Sequence, residues 1–464
     1  MRIIITNFGP IKEFVYDLDK EMIVTYGNNN IGKSYAMQIV YLLLKAFNGE
    51  IYVAQRMFSR IYLYSRTSDV PKHKENVKNM VYQFIESEEQ IKDITTYISR
   101  EVDELISASF MPEFMNSCKN TFGNLEKTLQ NNPKIVIKCE EYEFLLDLKE
   151  SKIFTTIEKE KKPVRLKRSL SDFHKSRNSK NHLDIYVVSD VEKPTELIFE
   201  EVQRMFVRYV RIISGGYENV YFLPASRSGI YAGMNAFGSI VAELSKNRAY
   251  FTKKIEFPGI SEPISDYFIS LSSIKVRTNE NLKELYSEIE DSILKGKVTF
   301  DRNKNALMYR PNNVDALYEM TEVSSMVSEV SPIVAFLKYI VPMKYKGSRV
   351  TKSILFIEEP EAHLHPNNQI ALVEIFAKLI GKNVKLVMSS HSNYVFNKLN
   401  NLVLAKKLNY LEYDPIILEE TLNGSISKHI EIDELGAVDE NFVDVSEKLY
   451  NEREEIIEKI NMED

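Results

Sequence analysis

The chain has 464 residues, of which 44% are hydrophobic and 27% are charged, enough to bury one large core or two to three smaller ones. Its net charge of -6 argues against a uniformly basic protein that coats nucleic acid, although a local basic patch remains compatible with it. The two cysteines, Cys118 and Cys139, are far apart and have no paired spacing, which argues against a disulfide framework or a zinc knuckle.

The apolar stretches of the chain are short. Segments such as "YLLLKAF" and "AFLKYIV" fall well below the roughly 18 to 20 apolar residues that a membrane helix needs. The first residues, "MRIIITNFGPIKEF", alternate like a strand, break at Gly9-Pro10 and contain no small-residue cleavage site, so no signal peptide is predicted. Together with the cysteine usage, these features predict a cytoplasmic protein without membrane contact.

A strand, a glycine-rich loop and a helix follow one another near the N-terminus. "RIIITNF" and "EMIVTYG" are typical of strands, and a helix is predicted from Lys33 to Phe47. The loop "GNNNIGKS" has the spacing G-x-x-x-x-G-K-S, in which backbone N–H groups and a lysine bind phosphates and a serine hydroxyl holds Mg²⁺. The alternative is an ordinary turn before a helix. The predicted nucleotide-binding residues are Gly27, Asn28, Asn29, Asn30, Ile31, Gly32, Lys33, Ser34 and Tyr35, with Ser34 also a metal ligand.

The middle of the chain divides by its periodicity. Residues 1–47 form the first part of the predicted domain, and residues 48–131 are charged, glycine-poor and helically periodic, which predicts a helical insertion. Residues 132–227 contain the short alternating runs "KIVIKC", "YEFLLDL" and "KIFTTIEK", a helix around "ELIFEEVQRMF", and the buried-strand pattern "NVYFLPAS". The pattern of residues 228–296 predicts a second helical insertion.

A basic segment lies within the β-rich part. Residues 159–180, "KEKKPVRLKRSLSDFHKSRNSK", have nine lysines or arginines against two acids and little apolar periodicity. Such a loop can contact the phosphates of a nucleic acid, but few aromatic side chains are available there for stacking on bases. A solvated linker is the alternative.

Residues 297–410 contain a second set of candidate site residues. The apolar strand "SILFI" ends in Glu358 and Glu359, and the later strand "KLVMSS" ends in His391. One carboxylate can hold Mg²⁺ and the other can orient or deprotonate an attacking water, so Glu358 is a predicted metal ligand and Glu359 a predicted catalytic residue. His391 is predicted to reach the terminal phosphate. The alternatives are a solvated, glutamate-rich strand end and an isolated histidine.

Three motifs together, "GNNNIGKS", "FIEEPEAHLHP" and "MSSHS", resemble those of the ABC-type ATPase heads of the OLD, RecF and SMC group, where the loop usually reads G-x-N-x-x-G-K-[ST]. The resemblance implies an α/β fold with a mostly parallel core sheet, an antiparallel β subdomain and helical insertions. It also implies ATP and Mg²⁺ as cofactors and a homodimer or higher oligomer of heads.

In such heads, a signature segment reaches across to the ATP of the partner. Residues 322–340 open with a serine-rich turn before a helix, so the resemblance implies that Ser324 and Ser325 donate to the neighbour's terminal phosphate. This segment lacks the glycines of the Leu-Ser-Gly-Gly pattern, and a serine-capped core helix is the alternative. The glutamine loop of these heads has no recognisable counterpart in the sequence.

The resemblance also indicates how such a head acts. OLD nucleases carry a TOPRIM domain with an Asp-x-Asp motif, which is absent from residues 392–464, so no nuclease is expected in this chain. The format resembles the stand-alone ATPase subunits of bacterial anti-phage defence systems, PtuA of Septu with an HNH nuclease and AriA of PARIS with a TOPRIM partner. The expected function is ATP hydrolysis that controls a separate effector nuclease. A RecF- or SMC-like DNA-repair or recombination ATPase is the alternative, and a purely structural nucleotide is a third possibility.

Two further segments leave their roles open. "YFLPASRSGIYAG" resembles a segment common in anti-phage and OLD-like ATPases, where Arg227 can contact nucleotide or the dimer interface, or form a structural ion pair. Residues 411–464 are acidic and end in a predicted amphipathic helix. That region can bind a partner protein, complete the dimer, or form a solvated surface.

Overall fold

The computed structural model describes most of the chain. The described ranges are 1–57, 70–158, 162–169, 176–178, 182–188, 190–233, 260–275, 277–342, 351–437 and 450–454. Half of the predicted basic loop 159–180, much of the second helical insertion and most of the predicted C-terminal helix therefore lie outside the described residues. The described half of the basic loop contains two strands, Val164–Arg168 and Ser176–Asn178, so the prediction of a loop there is wrong. None of the described helices is both long enough and apolar enough to cross a membrane.

The strands of the described chain are short, and most belong to one large sheet. They are β1 (Arg2–Phe8), β2 (Ile11–Asp17), β3 (Met22–Tyr26), β4 (Ile91–Asp93), β5 (Lys134–Lys138), β6 (Tyr142–Asp147), β7 (Lys152–Glu158), β8 (Val164–Arg168), β9 (Ser176–Asn178), β10 (Leu183–Val187), β11 (Asn219–Leu223), β12 (Gly296–Asp301), β13 (Ala306–Pro311), β14 (Tyr318–Glu319), β15 (Ser353–Glu358), β16 (Val384–Ser390), β17 (Tyr413–Thr421), β18 (Gly424–His429), β19 (Ile432–Asp433) and β20 (Gly436–Ala437).

The α-helices cover this sheet and fill the insertions. They are α1 (Lys33–Met57), α2 (Val70–Glu86), α3 (Thr95–Phe122), α4 (Leu125–Gln130), α5 (Glu192–Ile213), α6 (Glu262–Ser272), α7 (Lys283–Glu288), α8 (Ser325–Ala335), α9 (Pro366–Ala377) and α10 (Asn393–Leu404). Two π-helical segments, Ile289–Leu294 and Phe336–Ile340, continue α7 and α8. Helix α1 extends ten residues past the predicted end at Phe47.

Eleven of the described strands form one sheet in the order β11-β15-β16-β3-β17-β18-β2-β1-β5-β6-β7. The five strands from β11 to β17 run parallel to one another, whereas β1, β2, β5, β6 and β7 form an antiparallel arm. Strands β3, β15 and β16 are buried along their whole length, as parallel strands covered by helices on both faces should be. The predicted α/β fold, with its parallel core, antiparallel part and helical insertions, is confirmed.

Each face of the sheet has its own apolar core. On one face, α1 packs with α3 and α5, and the rings of Phe47 and Phe110 stack with their centroids 3.7 Å apart. On the other face, α8, α9 and α10 pack beneath the parallel strands, and Phe396 meets the ring of Tyr26 edge-on. A small antiparallel sheet of β12, β13 and β14 joins this second core.

The C-terminal region requires a correction. Residues 411–464 are predicted to form a separate acidic C-terminal region. In the structure, β17 and β18 lie inside the large sheet, between β3 and β2. Pro415 sits in the middle of β17, opposite Val24, a position where a proline argues against a strand because it cannot donate to the ladder. The pairing with β3 and the burial of Ile416 and its neighbours outweigh that preference.

The parallel strands set the position of the site. Strands β3, β11, β15 and β16 lie side by side, so their carboxyl ends share one edge of the sheet. In open α/β sheets this edge is where ligands bind. The glycine-rich loop, the acidic pair, Arg227 and His391 all follow the ends of these four strands.

Candidate functional site

The loop between β3 and α1 needs its two glycines for steric reasons. Gly27 has a φ of +140°, and a Cβ there would lie 2.7 Å from the carbonyl oxygen of Leu418. Gly32 has a φ of +107°, and its Cβ would lie 2.9 Å from Cγ of Pro10. Asn30 has a φ of +64°, a left-handed conformation that asparagine tolerates better than most residues. The third asparagine therefore supports the backbone of the loop.

The other loop residues divide between surface and interior. Asn28, Asn29 and Ser34 are exposed, whereas Ile31 is buried against Gly27. Tyr35, also predicted to bind nucleotide, is half-buried, and its ring packs on Phe122 with the centroids 5.0 Å apart. The exposed segment thus presents amides and a hydroxyl at the start of a helix, where N–H groups attract anions.

The Lys33 side chain forms hydrogen bonds inside the glycine-rich loop. Its Nζ donates to the carbonyl oxygens of Gly27 at 2.8 Å and Asn28 at 2.6 Å, and lies 3.4 Å from Nδ1 of His391. Burial lowers the pKa of Lys33 to about 8, although the nearby Glu359 and Glu361 carboxylates oppose this shift. The ammonium is therefore a partly desolvated charge, which is well suited to phosphate.

Glu358 is the buried member of the acidic pair. Its Oε2 accepts the N–H of Ala225 at 3.2 Å, and its Oε1 lies 3.4 Å from Nε2 of Gln38. Burial raises the pKa of Glu358, and a hydrogen bond from Ser34 partly offsets that rise. A hydroxyl and a buried carboxylate in contact are oxygen ligands of the kind that Mg²⁺ prefers.

Glu359 and His391 form the second contact of the site. His391 Nε2 lies 3.2 Å from Oε1 of Glu359, and this hydrogen bond is the main cause that holds the pKa of Glu359 below its usual value. The other ring nitrogen of His391, Nδ1, faces the Lys33 ammonium, so the imidazole contacts both the carboxylate and the lysine. The environments of the two adjacent glutamates thus push their pKa values in opposite directions, which gives them different chemical roles.

Two residues of the site, Glu361 and Gln38, were not predicted from the sequence. Glu361 is buried, and its Oε1 accepts the Ser390 hydroxyl at 2.7 Å and the N–H of His391 at 2.8 Å. Its Oε2 is buried without a hydrogen-bond partner among the described residues. Gln38, one helical turn after Ser34, is the other. The "EEPEAH" motif carries a third acid that could have flagged Glu361, whereas no local pattern marks Gln38.

Arg227 is fully buried behind the acidic pair. Its Nε lies 3.3 Å from Oε2 of Glu329 on α8, and its Nη1 donates to the carbonyl oxygen of Glu358 at 2.7 Å. Of the roles considered for Arg227, the ion-pair partner is the one with contacts in the described chain. The other two need an exposed guanidinium, which this residue lacks.

Ser324 and Ser325 lie at the exposed start of α8. Among the described residues, neither hydroxyl forms a hydrogen bond with the glycine-rich loop, the acidic pair or His391, and Ser324 makes no side-chain cap. The structure thus brings Lys33, Ser34, Glu358, Glu359 and His391 together and leaves these two serines on the surface.

The residues present fit ATP and Mg²⁺. The two positive-φ glycines keep the loop free of side chains that would fill the cradle, and Lys33 supplies the charge. The orphan oxygen of Glu361 and the buried Glu358 leave negative charge that a cation can satisfy. These donors are compatible with a nucleotide and a divalent cation.

Comparisons with known proteins give one family match and two similar solved structures. A family model described as an AAA ATPase domain matches residues 1–396. Two solved structures are similar at 8% identity and a TM-score of 0.35: an SMC head bound to the C-winged helix domain of ScpA, covering 93% of this chain and 97% of that chain, and the SMC head domain from Thermotoga maritima, covering 93% and 98%. No curated protein matches.

Proposed function

The chain belongs to the AAA ATPase domain family, and from that premise we propose that it binds ATP with Mg²⁺ and hydrolyses ATP at the ends of β3, β15 and β16. The observation that carries the proposal is the convergence of Lys33 and Ser34 with Glu358, Glu359 and His391, which come from three separate parts of the sequence.

The residues divide the work between binding and chemistry. The loop N–H groups and Lys33 would hold the phosphates, and Ser34 with Glu358 would hold Mg²⁺. Bound Mg²⁺ neutralises charge on the phosphate oxygens. Glu359, kept ionised by His391, accepts a hydrogen bond from water and orients it. His391 links that carboxylate to Lys33, so the water-orienting and phosphate-binding groups share one hydrogen-bonded chain.

We further propose that two such heads pair over ATP and that the pair controls a separate effector nuclease of an anti-phage defence complex. The exposed serines at the start of α8 support pairing, because a helix N-terminus without a cap of its own can donate to a phosphate on a second chain. The motif resemblance to PtuA-like and AriA-like subunits supports the defence role. Co-purification of an HNH or TOPRIM protein with the native chain would favour defence, whereas recovery of DNA alone would favour the repair alternative.

Substitution of Glu359 tests the hydrolysis proposal. Glu359→Gln keeps the size of the side chain and removes its charge, so phosphate release with Mg²⁺-ATP should fall by a factor of about 100 or more while ATP affinity is kept. Glu374→Gln is the matched control, because Glu374 is also a glutamate whose pKa is lowered by a basic partner, Lys398, but lies away from the site on α9.

The outcomes separate the two parts of the proposal. Equal, near-zero rates of phosphate release for the wild type and Glu359→Gln would refute the hydrolysis proposal. The bound nucleotide would then have a purely structural role. Light scattering of Glu359→Gln with ATP should show dimers, because ATP persists when turnover stops. A monomer under these conditions would contradict head pairing without affecting the ATPase proposal.

A further inference from the structure

Arg227 contacts the backbone of both site glutamates. Besides the bond to Glu358, its Nη2 donates to the carbonyl oxygen of Glu359 at 3.2 Å, and its Nη1 also donates to Pro224 O at 3.2 Å. These acceptors lie at the ends of β11 and β15. A single planar guanidinium therefore joins the two strand ends.

Glu329 ties the same arginine to helix α8. The Nε of Arg227 donates to the carbonyl oxygen of Glu329 at 3.0 Å. The Glu329 carboxylate accepts the N–H of Arg227 at 3.0 Å, the N–H of Ser228 at 3.1 Å and the Ser228 hydroxyl at 2.6 Å. It therefore caps the helical segment 227–233 from another element. Both side chains of the pair are buried, at 0% and 1% exposure.

The backbone of Glu359 needs this support. Its φ is +42°, a left-handed conformation that costs energy for a glutamate. Three hydrogen bonds hold it: its N–H donates to the carbonyl oxygen of Ser389 at 3.1 Å, and its carbonyl oxygen accepts from Ala362 N–H at 3.1 Å and from Arg227. Without the Arg227 bond, Ala362 N–H alone would hold this carbonyl oxygen, so the strained backbone that directs the Glu359 side chain toward His391 would be less firmly fixed.

We propose that the Arg227–Glu329 bridge positions Glu359 and makes its orientation depend on the placement of α8. The bridge is a positioning device: Arg227 reaches the peptide groups of the acidic pair, and Glu329 lies one turn beyond the exposed serines at the start of α8. A shift of α8, such as contact of a partner with those serines would produce, moves Glu329 and with it the guanidinium that fixes Glu359. This inference rests on the proposed ATP hydrolysis.

The geometry predicts an effect on turnover and not on binding. Within the described chain, the hydrogen bonds of Arg227 go to α8 and the strand ends, and none goes to the glycine-rich loop that would hold the phosphates. A lysine keeps the charge but has no planar fork, so it cannot reach Glu329 and the two strand ends at once. Arg227→Lys therefore separates geometry from charge.

The test compares Arg227→Lys and Glu329→Gln with the wild type, measuring the Kd of a fluorescent ATP analogue and the kcat of phosphate release. Each variant should lose about tenfold or more in kcat while Kd stays within about twofold, because a misoriented Glu359 acts only on the chemical step.

Arg168→Lys is the matched control. Arg168 also donates to several carbonyl oxygens, at 2.9 Å to Glu89 and 2.8 Å to Ile85, but it lies on β8 and its acceptors lie in the helical insertion. It should lower thermal stability without lowering kcat. This comparison separates positioning from a general loss of stability.

Three outcomes would overturn the proposed bridge, and a fourth would refute the hydrolysis on which it rests. Retained kcat in Arg227→Lys, with an active wild type, would overturn the bridge and leave the ATPase proposal standing. Parallel losses in kcat and affinity would also overturn it, because the arginine would then act on the binding loop. If Arg227→Lys does not fold, Glu329→Gln is decisive: its amide keeps the size and an acceptor oxygen, and an unchanged kcat there would equally reject the bridge. An inactive wild type would instead refute the proposed hydrolysis.

Discussion

Two regions of the molecule bury charged side chains, and they do so differently. In the helical insertion, His73 on α2 and Glu101 on α3 form a buried pair 2.7 Å apart. Beside it, Asp184 on β10 pairs with Arg165 at 2.8 Å and Lys167 at 2.6 Å, both on the neighbouring strand β8. Each acid there contacts a basic side chain from an adjacent element.

At the carboxyl ends of the parallel strands, the buried charges are only partly matched in this way, although Arg227 does pair with Glu329. The side chain of Arg227 donates mainly to backbone carbonyls, and Glu358 accepts from an amide and a hydroxyl. One oxygen of Glu361 has no hydrogen-bond partner within the described part of the chain. Because an unsatisfied buried polar group is costly, such a cluster needs a compensating ligand or function. This difference indicates that the charged pairs in and around the insertion join helices and strands. The carboxylates at the strand ends instead remain available for a nucleotide site.

The largest expected effect is a difference in ATP affinity between variants of two buried lysines. Lys33 and Lys385 both donate to backbone carbonyls, and burial lowers the pKa of both, but they lie at opposite ends of the parallel strands. Lys33→Ala should weaken ATP binding by a factor of about 100 or more, since hydrogen bonds between charged groups contribute about 1.5 to 3 kcal/mol each. Isothermal titration with an ATP analogue measures this.

Lys385→Ala is the control for that measurement. Its Nζ donates to the carbonyl oxygens of Leu18 and Lys20, so its loss should lower stability and leave ATP affinity unchanged. If both variants lost ATP binding equally, the loss would come from general unfolding of the sheet. The contrast between the two ends of the strands would then be wrong.

The parts of the site that sequence reasoning found are those that short motifs encode. The strand, glycine-rich loop and α1 are contiguous, and the acidic pair and His391 each end an apolar strand, so local pattern placed them at one edge. Their mutual contacts agree with that expectation. The family match now covers the same segments.

The parts that were missed depend on distant contacts. Arg227 and Glu329 are 102 residues apart in sequence, and neither lies in a pattern that reveals its partner. The hairpin of β17 and β18 was not predicted, although Asn423-Gly424 is a hairpin signal and Gly424 has a φ of +110°; the acidic composition of residues 411–464 was interpreted as a separate region instead. A proline at a fully buried position is acceptable only once the pairing with β3 is known, and sequence pattern alone does not supply that pairing.

A smaller effect should appear when the insertion pair is broken. Burial raises the pKa of Glu101, but hydrogen bonds from His73 and Tyr97 outweigh burial and lower it. Glu101→Gln removes the charge that His73 contacts and should lower the free energy of unfolding by roughly 2 kcal/mol, with kcat unchanged. Urea denaturation measures the first quantity and phosphate release the second.

The neighbouring Glu104 serves as the control. It is exposed on the same helix, so Glu104→Gln should change stability by less than about 0.5 kcal/mol. A loss of turnover in Glu101→Gln with stability unchanged would contradict the contrast, because the insertion would then contribute to the chemistry.

The smallest effect concerns pH. In the free protein, burial lowers the pKa of Lys33 to about 8, and bound phosphate favours the charged ammonium and so raises that pKa. ATP affinity should therefore be full below about pH 8 and fall by up to about tenfold per pH unit above it.

Lys33→Arg provides the comparison, because its guanidinium stays charged throughout this range and its affinity, though weaker, should not decline. Measuring Kd from about pH 7 to about pH 9.5 covers the transition. A flat profile in the wild type, or the same decline in Lys33→Arg, would show that a group other than Lys33 controls the pH dependence. A decline confined to the wild type would instead place the titrating charge in the loop itself, at the strand ends and not in the paired charges of the insertion.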